Sequence, residues 1–345
     1  MSADLTRLEE LVESFTKQTI AVLADFVADR FVFGEISRVS REAPVLILRH
    51  RETQLVPGGG ANAANNLADL GARVLPVGVV GDDEAGRDLL KYFRAKNVDV
   101  SGITTVRGWT TPVKTRYLAG WTHTTRQQVL RVDHEPPAPL AAAAQKALLN
   151  KAAQRIGRSN ALLASDYGFG AVTPQSLRSL RRSAGPKLKI TLDSRYSLDD
   201  YKGVGITAAT PNEAELEALY HTRIGTDAAK LHKLAKQTVR SLGLEALVVT
   251  RGKDGMVVFE HGEKPKTIPI YGSEEAADVT GAGDTVIAVF TLALAAGASV
   301  LEAAELANYA AGIVVMKRGT ATVRRDELLA AIRGEATGKD RAHQV

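Results

Sequence analysis

The stretch from residue 278 to residue 285 has the residue types and spacing that could most directly do chemistry. It reads Asp-Val-Thr-Gly-Ala-Gly-Asp-Thr and leads into the apolar segment 286–290, which we predict to be a buried helix. Gly281 and Gly283 allow a tight turn that points several amides at one spot, where a helix N-terminus attracts anions. Asp284 would set a carboxylate beside that spot, as phosphoryl transfer to a hydroxyl requires. A helix start capped by Asp or Thr is the simpler explanation of a bare Gly-x-Gly-Asp.

A second glycine-rich stretch, residues 57–67, runs from a predicted strand into a predicted helix. Gly58, Gly60 and Ala63 have the spacing of the loose form of a dinucleotide fingerprint, which makes a dehydrogenase the rival hypothesis. The acidic residue expected about 20 positions later would be Asp82 or Asp83. Both lie in a further predicted turn rather than at the end of a second strand, which weakens this hypothesis.

Acidic and amide side chains follow predicted strands or open the helix after them. The apolar strand 19–24 is followed by Asp25 and Asp29, which could bind sugar hydroxyls at the carboxyl edge of a parallel sheet or serve as cap and turn residues. Asn212 and Glu215 are three residues apart at a helix start, where they could hold water on Mg²⁺ or order a phosphate. By spacing alone, a capping box is the better explanation of that pair.

Two pairs of predicted strands interrupt the helical segments of the first half of the chain. Segments 31–56 and 113–133 would form a small antiparallel lid over the main sheet, and such a lid excludes water from phosphoryl transfer. Lys114, Arg116 and Arg131 are cations of the second pair. They could clamp a phosphate on the substrate, or they could be ordinary strand-surface charges.

From residue 140 onward, predicted helices alternate with short apolar strands. Strands 161–166 and 188–193 both end in aspartate, and helices 140–156 and 174–182 accompany them. This alternation predicts an α/β fold with a doubly wound, mostly parallel sheet flanked by helices. Residues 247–259 are predicted to form a strand, a glycine turn and a second strand, and the sequence contains no P-loop.

Composition restricts the classes of function. The 345 residues include 44 basic and 39 acidic ones, interspersed, with a formal net charge of +5. No basic run is interleaved with aromatics, so we expect no nucleic-acid partner. The sequence has no cysteine, which excludes disulfides, thiolate metal sites and cysteine nucleophiles. Because we find no signal peptide and no apolar run of about 18 residues, we expect no membrane contact and a cytoplasmic location.

Together these motifs resemble the ribokinase, or PfkB, family of carbohydrate kinases. Residues 278–285 are similar to the C-terminal signature of that family, and residues 58–62 to its N-terminal signature. The resemblance covers about residues 19–333 and implies an ATP-dependent and Mg²⁺-dependent kinase domain with a ribokinase-like fold. Residues 1–18 would be an N-terminal helical extension, and residues 334–345 a flexible tail.

The resemblance implies roles for individual residues. Asp284 would be the base on the sugar hydroxyl. The amides that would stabilise the transferred phosphoryl group belong to Gly281, Ala282 and Gly283. The residues that would bind the sugar substrate are Asp29, Gly59 and Asn62, with the lid cations Lys114, Arg116 and Arg131. Those that would border the nucleotide are Asn212, Thr250, Gly252, Gly255 and Asn308, while Asn212 and Glu215 would organise Mg²⁺ through water.

Within the family the chain is most similar to the kinase half of the bacterial heptose-phosphate enzymes. These phosphorylate C1 of D-glycero-β-D-manno-heptose 7-phosphate on the way to ADP-heptose for lipopolysaccharide. The segments that carry this similarity are 37–45, 114–116, 165–168 and 311–321. Three positions depart from the pattern: Ala24 replaces a glycine, Phe169 replaces a lysine, and Arg195 ends an Asp-Ser-Arg in place of Asp-Pro-Lys. Arg195 could supply a shifted cation.

Several alternatives stay open at this point. The acceptor could be another sugar, another sugar phosphate or a nucleoside, or the chain could be a non-catalytic sugar-phosphate or nucleotide sensor. An intact Gly-Ala-Gly-Asp argues against the sensor, which would have no use for the base. The resemblance further implies a homodimer formed through the lids and a candidate monovalent-cation site. No cytidylyltransferase-like half follows, so we expect a stand-alone kinase.

Overall fold

The computed structural model describes residues 4–121, 126–196, 198–273 and 276–335, which form thirteen strands and ten α-helices. The strands are β1 (Thr19–Ala24), β2 (Phe26–Val39), β3 (Leu46–Gly58), β4 (Arg73–Gly81), β5 (Ile103–Val106), β6 (Val113–Gly120), β7 (Gln127–His134), β8 (Ala161–Asp166), β9 (Lys189–Ser194), β10 (Ala208–Ala209), β11 (Ala246–Thr250), β12 (Met256–Glu260) and β13 (Lys266–Ile268). The helices are α1 (Leu5–Glu13), α2 (Gly59–Asp69), α3 (Glu84–Ala95), α4 (Ala142–Ile156), α5 (Pro174–Ala184), α6 (Glu213–Leu219), α7 (Ala228–Leu242), α8 (Ala282–Ala295), α9 (Val300–Val315) and α10 (Arg325–Ile332).

A nine-stranded sheet lies at the centre, in the order β13-β12-β11-β10-β9-β8-β1-β4-β5. β1 pairs in parallel with both β4 and β8, and the antiparallel pairings of this sheet are β11 with β12 and β12 with β13, at one edge. The predicted α/β class with a mostly parallel sheet is confirmed. After β1 the chain adds β4 and β5 on one side of that strand, and it then adds β8 on the opposite side of β1. Ligands of open α/β sheets bind at the carboxyl ends of strands beside such a reversal.

Helices cover both faces of this sheet, which explains why β1 reads as a continuous apolar run. Ile20 and Val22 contribute to one core, shared with α1, α2, α8, α9 and α10. Ala21 and Leu23 contribute to the other, shared with α4, α5 and α7. Successive side chains of a strand point to opposite faces, and here both faces are buried.

A second sheet has the order β3-β2-β6-β7 and forms the predicted lid. β2 pairs antiparallel with β3, and β6 pairs antiparallel with β7, as expected. The two hairpins meet through a parallel pairing of β2 with β6, because both strands leave the main body in the same direction. Residues 122–125, between the lid strands, and the predicted tail from residue 336 onward lie outside the described residues.

Two element boundaries differ from the sequence-based expectation. Only Asp25 separates β1 from β2, so Asp29 lies within a lid strand rather than in a turn after β1. The helix expected over residues 3–18 ends as an α-helix at Glu13 and finishes as a 3₁₀ turn, Ser14–Lys17. The buried side chains of this segment, which include Leu8 and Phe15, belong to the α2–α8–α9–α10 core. Among the described residues, every helix is too short or too polar to cross a bilayer.

Candidate active site

A cavity of about 630 Å³ opens where the carboxyl ends of the main sheet face the lid. Twelve of the residues with a possible role predicted from the sequence line it: Asp29, Gly59, Lys114, Arg116, Arg131, Arg195, Asn212, Glu215, Thr250, Gly281, Gly283 and Asp284. Residues that sequence reasoning did not assign to the site also line it, among them Tyr167, Asp193, Tyr196 and Thr210. The cavity therefore brings together a turn at a helix N-terminus, a carboxylate and a set of cations.

Asp284 lies in the first turn of α8, and its carboxyl group is almost completely buried. The Tyr167 hydroxyl donates to its Oδ1 at 2.7 Å, and Asn62 Nδ2 donates to its Oδ2 at 3.1 Å. Burial raises the pKa of Asp284 to about 7, although both hydrogen bonds favour the ionised form and lower it. A carboxyl group with a pKa near working pH is well suited to general-base catalysis.

The two glycines of the turn before Asp284 differ in what surrounds them. Gly281 has a φ of 81°, and a β-carbon there would stand 2.6 Å from Asn62 Nδ2, so the turn requires glycine. At Gly283 a β-carbon would meet no atom of the described residues within 4 Å beyond its chain neighbours and the backbone of its own helix. Ala282 is set back from the cavity, and its amide donates to the Val279 carbonyl at 3.3 Å. The open space at Gly283 leaves room for an anion against the backbone.

Asp29 is held inside the lid by two donors. Arg116 donates to its Oδ1 at 2.6 Å, and the Thr320 hydroxyl donates to its Oδ2 at 2.6 Å. Both members of the ion pair are buried, with Asp29 3% and Arg116 8% exposed. Arg116 is therefore first of all the partner of Asp29.

Three other cations line the cavity with fewer constraints. Lys114 Nζ lies 4.7 Å from the centre of the Tyr167 ring, and burial lowers its pKa. Arg131 pairs on its own strand with Asp133, Nε to Oδ1 at 2.8 Å. Arg195 is exposed and stacks on the ring of Tyr196. This group of cations could bind a phosphate or another anion.

The glycine triplet before α2 is explained by close packing. A β-carbon would stand 2.5 Å from the Asp29 carboxyl carbon at Gly58 and 2.4 Å from Ala24 Cβ at Gly60, and Gly59 has a φ of 52°. The strand before it, β3, is an antiparallel lid strand. The parallel strand that a dinucleotide fingerprint needs is therefore missing here, and the dehydrogenase hypothesis loses its structural basis. Asn62, in the first turn of α2, reaches Asp284 as described above.

Asn212 and Glu215 form the capping box of α6. Asn212 Oδ1 accepts from the Glu215 amide at 2.8 Å, and Glu215 Oε2 accepts from the Asn212 amide at 2.9 Å. Burial raises the pKa of Glu215, and burial together with repulsion from Glu215 and Asp284 raises that of Asp193 well above its ordinary range. Within the described ranges no group of three or more His, Asp or Glu residues is arranged to bind a metal directly.

The predicted nucleotide residues lie in three places. Thr250 lines the cavity, whereas Asn308 lines a neighbouring groove of about 660 Å³ between β13 and α9, where its Nδ2 donates to the Pro269 carbonyl at 2.8 Å. Gly252 and Gly255 lie outside both, in the turn between β11 and β12, each with a positive φ. At Gly255 a β-carbon would stand 2.1 Å from the Ile268 carbonyl oxygen, so this glycine is needed by the hairpin itself.

Sequence reasoning missed the role of Tyr167 and of Asp25. Tyr167 was part of a segment that carried the family resemblance, and it follows directly after a strand that ends in an acid, but neither signal points to Asp284. Asp25 was interpreted either as a ligand of sugar hydroxyls or as a cap or turn residue. Its carboxyl group accepts hydrogen bonds from the amides of Tyr167, Phe169 and Ala171, a segment that the sequence does not connect with it.

Comparison with known proteins gives a consistent result. The profile described as pfkB family carbohydrate kinase matches residues 27–327. The bifunctional protein HldE of Desulfatibacillum aliphaticivorans is 37% identical over 324 residues, which are 94% of this chain and 65% of that protein. The chain thus spans slightly less than two thirds of that curated relative.

Solved structures share the fold. Arabidopsis thaliana ribokinase complexed with ribose and ATP superposes with a TM-score of 0.70 at 19% identity, covering 92% of this chain and 99% of that one. Escherichia coli phosphofructokinase-2 in complex with potassium superposes with a TM-score of 0.72 at 20% identity, covering 92% and 98%. At this level of identity the likeness concerns the fold, and it confirms the predicted ribokinase-like architecture.

Proposed function

Because the chain belongs to the pfkB family of carbohydrate kinases, we propose that it transfers the γ-phosphoryl group of ATP to a hydroxyl of a phosphorylated sugar. The acceptor we propose is C1 of D-glycero-β-D-manno-heptose 7-phosphate, in the synthesis of ADP-heptose for lipopolysaccharide. The observation that carries the proposal is the buried Asp284 carboxylate, one residue after the open backbone of Gly283, in a cavity that also holds Lys114, Arg131 and Arg195.

Asp284 acts in this proposal as the general base. It accepts the proton of the acceptor hydroxyl while the hydroxyl oxygen forms a bond to the γ-phosphorus and the bond from that phosphorus to the ADP oxygen breaks. The backbone at Gly281 and Gly283 lies at the N-terminus of α8, where its amides stabilise the negative charge on the transferred group. Comparable donors contribute about 3 kcal/mol each when well placed.

The acceptor site follows from the lid and from α2. Asp29 is oriented by Arg116 and Thr320 to accept hydrogen bonds from sugar hydroxyls, and Gly59 lines the same cavity. Asn62 does not line the cavity among the described residues, and it contributes through its hydrogen bond to Asp284. Lys114, Arg131 and Arg195 would bind the phosphate that the sugar already carries. The lysine usual at position 169 is a phenylalanine here, and Arg195 lines the cavity. This position of Arg195 supports its role as the cation that replaces the missing lysine.

ATP and Mg²⁺ fit a set of polar side chains that line the same cavity. Thr210 is buried and lines the cavity, and its Oγ1 has no hydrogen-bond partner among the described residues. Asn212, Glu215 and Thr250 lie beside it. In the proposal Asn212 and Glu215 would hold water on Mg²⁺, which would supply charge neutralisation at the phosphates. Thr250, Gly252, Gly255 and Asn308 would border the nucleotide. A monovalent cation is a further candidate cofactor.

The lid supports the proposal of a homodimer. All eight residues of β7 are exposed, and β7 is an edge strand of the lid sheet. Its apolar side chains include Val129, Leu130 and Val132. A second copy of the chain would cover this edge, as exposed edges of sheets usually require. A cytoplasmic location and the absence of nucleic-acid and membrane partners belong to the same proposal.

The test is ADP release from Mg-ATP with a panel of acceptors: D-glycero-β-D-manno-heptose 7-phosphate, fructose 6-phosphate, ribose, fructose and adenosine. We expect turnover on the heptose phosphate and its loss in Asp284→Asn. Turnover on another acceptor instead would support the kinase assignment and overturn the proposal that the heptose phosphate is the acceptor. ATP binding without turnover on any acceptor would favour a sensor. Full turnover by Asp284→Asn would show that Asp284 is not the general base.

A further inference from the structure

Tyr167 links the candidate base to the rest of the site. It is the first residue after β8, and its hydroxyl donates to Asp284 Oδ1 at 2.7 Å across 117 residues of sequence. We propose that Tyr167 is a positioning residue for Asp284, because its hydrogen bond holds the Oδ1 atom of the carboxyl group in place. The inference rests on the proposed role of Asp284 as the general base.

The ring of Tyr167 is held from two sides. A β-carbon at Gly59 would stand 3.2 Å from ring atoms Cε2 and Cζ, so the glycine at this position lets the ring pack against the first turn of α2. On the lid side, Lys114 Nζ lies 4.7 Å from the ring centre. These contacts restrict the ring, and with it the direction in which the hydroxyl points.

The backbone of Tyr167 is fixed as well. The Asp25 carboxylate, which is 2% exposed, accepts from the amides of Tyr167 at 2.8 Å, Phe169 at 3.1 Å and Ala171 at 2.9 Å. A single side chain at the end of β1 thus ties down the segment after β8. Such support of a site residue by a buried polar group is typical of preorganised sites.

The electrostatic surroundings of Asp284 determine the direction of the effect. The charged and titratable groups around this carboxyl are Tyr167, Asp29 on β2, Lys114 on β6, and Asp193 with Arg195 at the end of β9, while α2 contributes the neutral Asn62. Burial and Asp284 raise the pKa of Tyr167 well above its ordinary value, so Tyr167 stays a donor. A donor to a carboxylate stabilises its ionised form, and removing that donor raises the pKa.

The hydrogen bonds also leave the base free to act. Tyr167 occupies one lone pair of Oδ1 and Asn62 one of Oδ2, and a carboxylate has about four such acceptor positions. A substrate hydroxyl can therefore reach Asp284 while both donors stay in place. Because Tyr167 acts on the base rather than on the sugar, its loss is expected to lower kcat at acidic pH and to leave KM for the acceptor unchanged.

The test compares Tyr167→Phe with Tyr201→Phe. Tyr201 is a matched control, because its hydroxyl also donates to a buried carboxylate, Asp166 Oδ2 at 2.8 Å. The carboxyl of Asp284 is followed by NMR in protein labelled with ¹³Cγ-aspartate and assigned by its absence in Asp284→Asn. In Tyr167→Phe we expect its titration midpoint to move up by about 1 pH unit, with the acid limb of kcat moving equally. Tyr201→Phe should leave both unchanged.

A second variant keeps the inference testable if Tyr167→Phe does not fold. In the intact chain, 3-fluorotyrosine at position 167 is a more acidic donor, so the midpoint of Asp284 should move down. An unmoved midpoint in the Phe or the fluorotyrosine protein, or an equal shift in Tyr201→Phe, overturns the inference. The NMR titration needs no substrate, so a shift of the expected sign supports the positioning role even if the wild-type chain phosphorylates none of the acceptors.

Discussion

The carboxylate of Asp29 and the guanidinium of Arg116 form a buried ion pair, with Arg116 Nη1 2.6 Å from Asp29 Oδ1, between the neighbouring strands β2 and β6. Burial removes the hydration of both charges, and the attraction between them offsets this desolvation cost. The pair fixes a carboxylate at the floor of the lid, where the proposed sugar would lie. Arg116 and Arg131, which the sequence presents as equivalent cations, therefore differ in what they do.

Replacing each of these arginines by methionine should separate the two roles. Arg116→Met leaves Asp29 buried without its partner and should lower the free energy of unfolding by about 3–5 kcal/mol. Arg131→Met breaks a partly exposed pair and should cost at most about 1 kcal/mol, while KM for a phosphorylated acceptor rises by about tenfold or more. Urea unfolding and steady-state kinetics measure the two effects. Equal losses of stability in the two variants would contradict this assignment.

Alanine at the two glycines of the α8 turn should have opposite effects. At Gly283 the added methyl group meets open space, so we expect Gly283→Ala to be at least as stable as the wild type but to lose most of its kcat, because the methyl group occupies the space proposed for the phosphoryl group. Gly281→Ala should lose at least about 1 kcal/mol of stability, because φ is positive there and Asn62 is in the way. Undiminished kcat in Gly283→Ala would place the phosphoryl group elsewhere.

Glu215→Gln distinguishes a capping role from a role in metal binding. Glutamine can still accept from the Asn212 amide, so the capping box and the stability of α6 should be kept. Loss of the charge should raise the Mg²⁺ concentration needed for half-maximal activity several-fold. Glu302→Gln, in the capping box that Ser299 forms at the start of α9, is the matched control and should not change the Mg²⁺ dependence. The same Mg²⁺ dependence in both variants would show that Glu215 caps α6 and has no role in Mg²⁺ binding.

Stability should fall as the pH rises from about 4 to about 7. Burial raises the pKa of Asp25 and of Asp284 to about 7 from 3.8, so in this window the folded chain holds protons that the unfolded chain has lost. Each group contributes a slope of up to about 1.4 kcal/mol per pH unit, which ends above pH 7. Asp284→Asn should therefore show a shallower decline in urea unfolding between pH 5 and pH 7. Parallel curves for the two proteins would show that Asp284 titrates normally.

The proposed dimer depends on the exposed apolar side chains of β7. Leu130→Asp places a charge on that edge and should convert the dimer to a monomer in sedimentation velocity. Leu5→Asp is the matched control, since Leu5 is a similarly exposed leucine at the start of α1, and this variant should stay dimeric. A dimer that survives Leu130→Asp would have another interface.

Much of the architecture could be predicted from local patterns. The continuous apolar run of β1 and the acid-ended β8 lie at the predicted residues, because strand length and apolar composition are local properties of the chain. The lid hairpin of β6 and β7 was predicted within one residue at each end. The first lid hairpin was predicted too short, since its pairing extends back to Phe26 only through contact with the neighbouring strand.

The candidate site was predictable in part. The glycine turn and Asp284 stand together in the sequence, and the lid cations could be found from the strand pattern. The positions of the residues predicted to border a nucleotide could not be predicted. Asn308 and Thr250 line separate depressions, and the one that Asn308 lines depends on how α9 packs against β13. Gly58 and Gly60 likewise have no local signal for their roles, because the atoms that exclude a side chain there belong to Asp29 and Ala24.

The sequence by itself determined the α/β class, because the periodicity of apolar residues is a local property of the chain. It also determined the family, through the resemblance of motifs such as the signature turn. Only the tertiary structure decided that Asp29 pairs with Arg116 and that Tyr167 donates to Asp284. It also decided that Asp25 accepts hydrogen bonds from the segment after β8, to which Tyr167 belongs. These contacts join residues 87, 117 and up to 146 positions apart. These contacts follow from the order and register of the strands in two sheets. A local sequence pattern predicts a strand but does not predict which other strand it pairs with, and that pairing brings distant residues together.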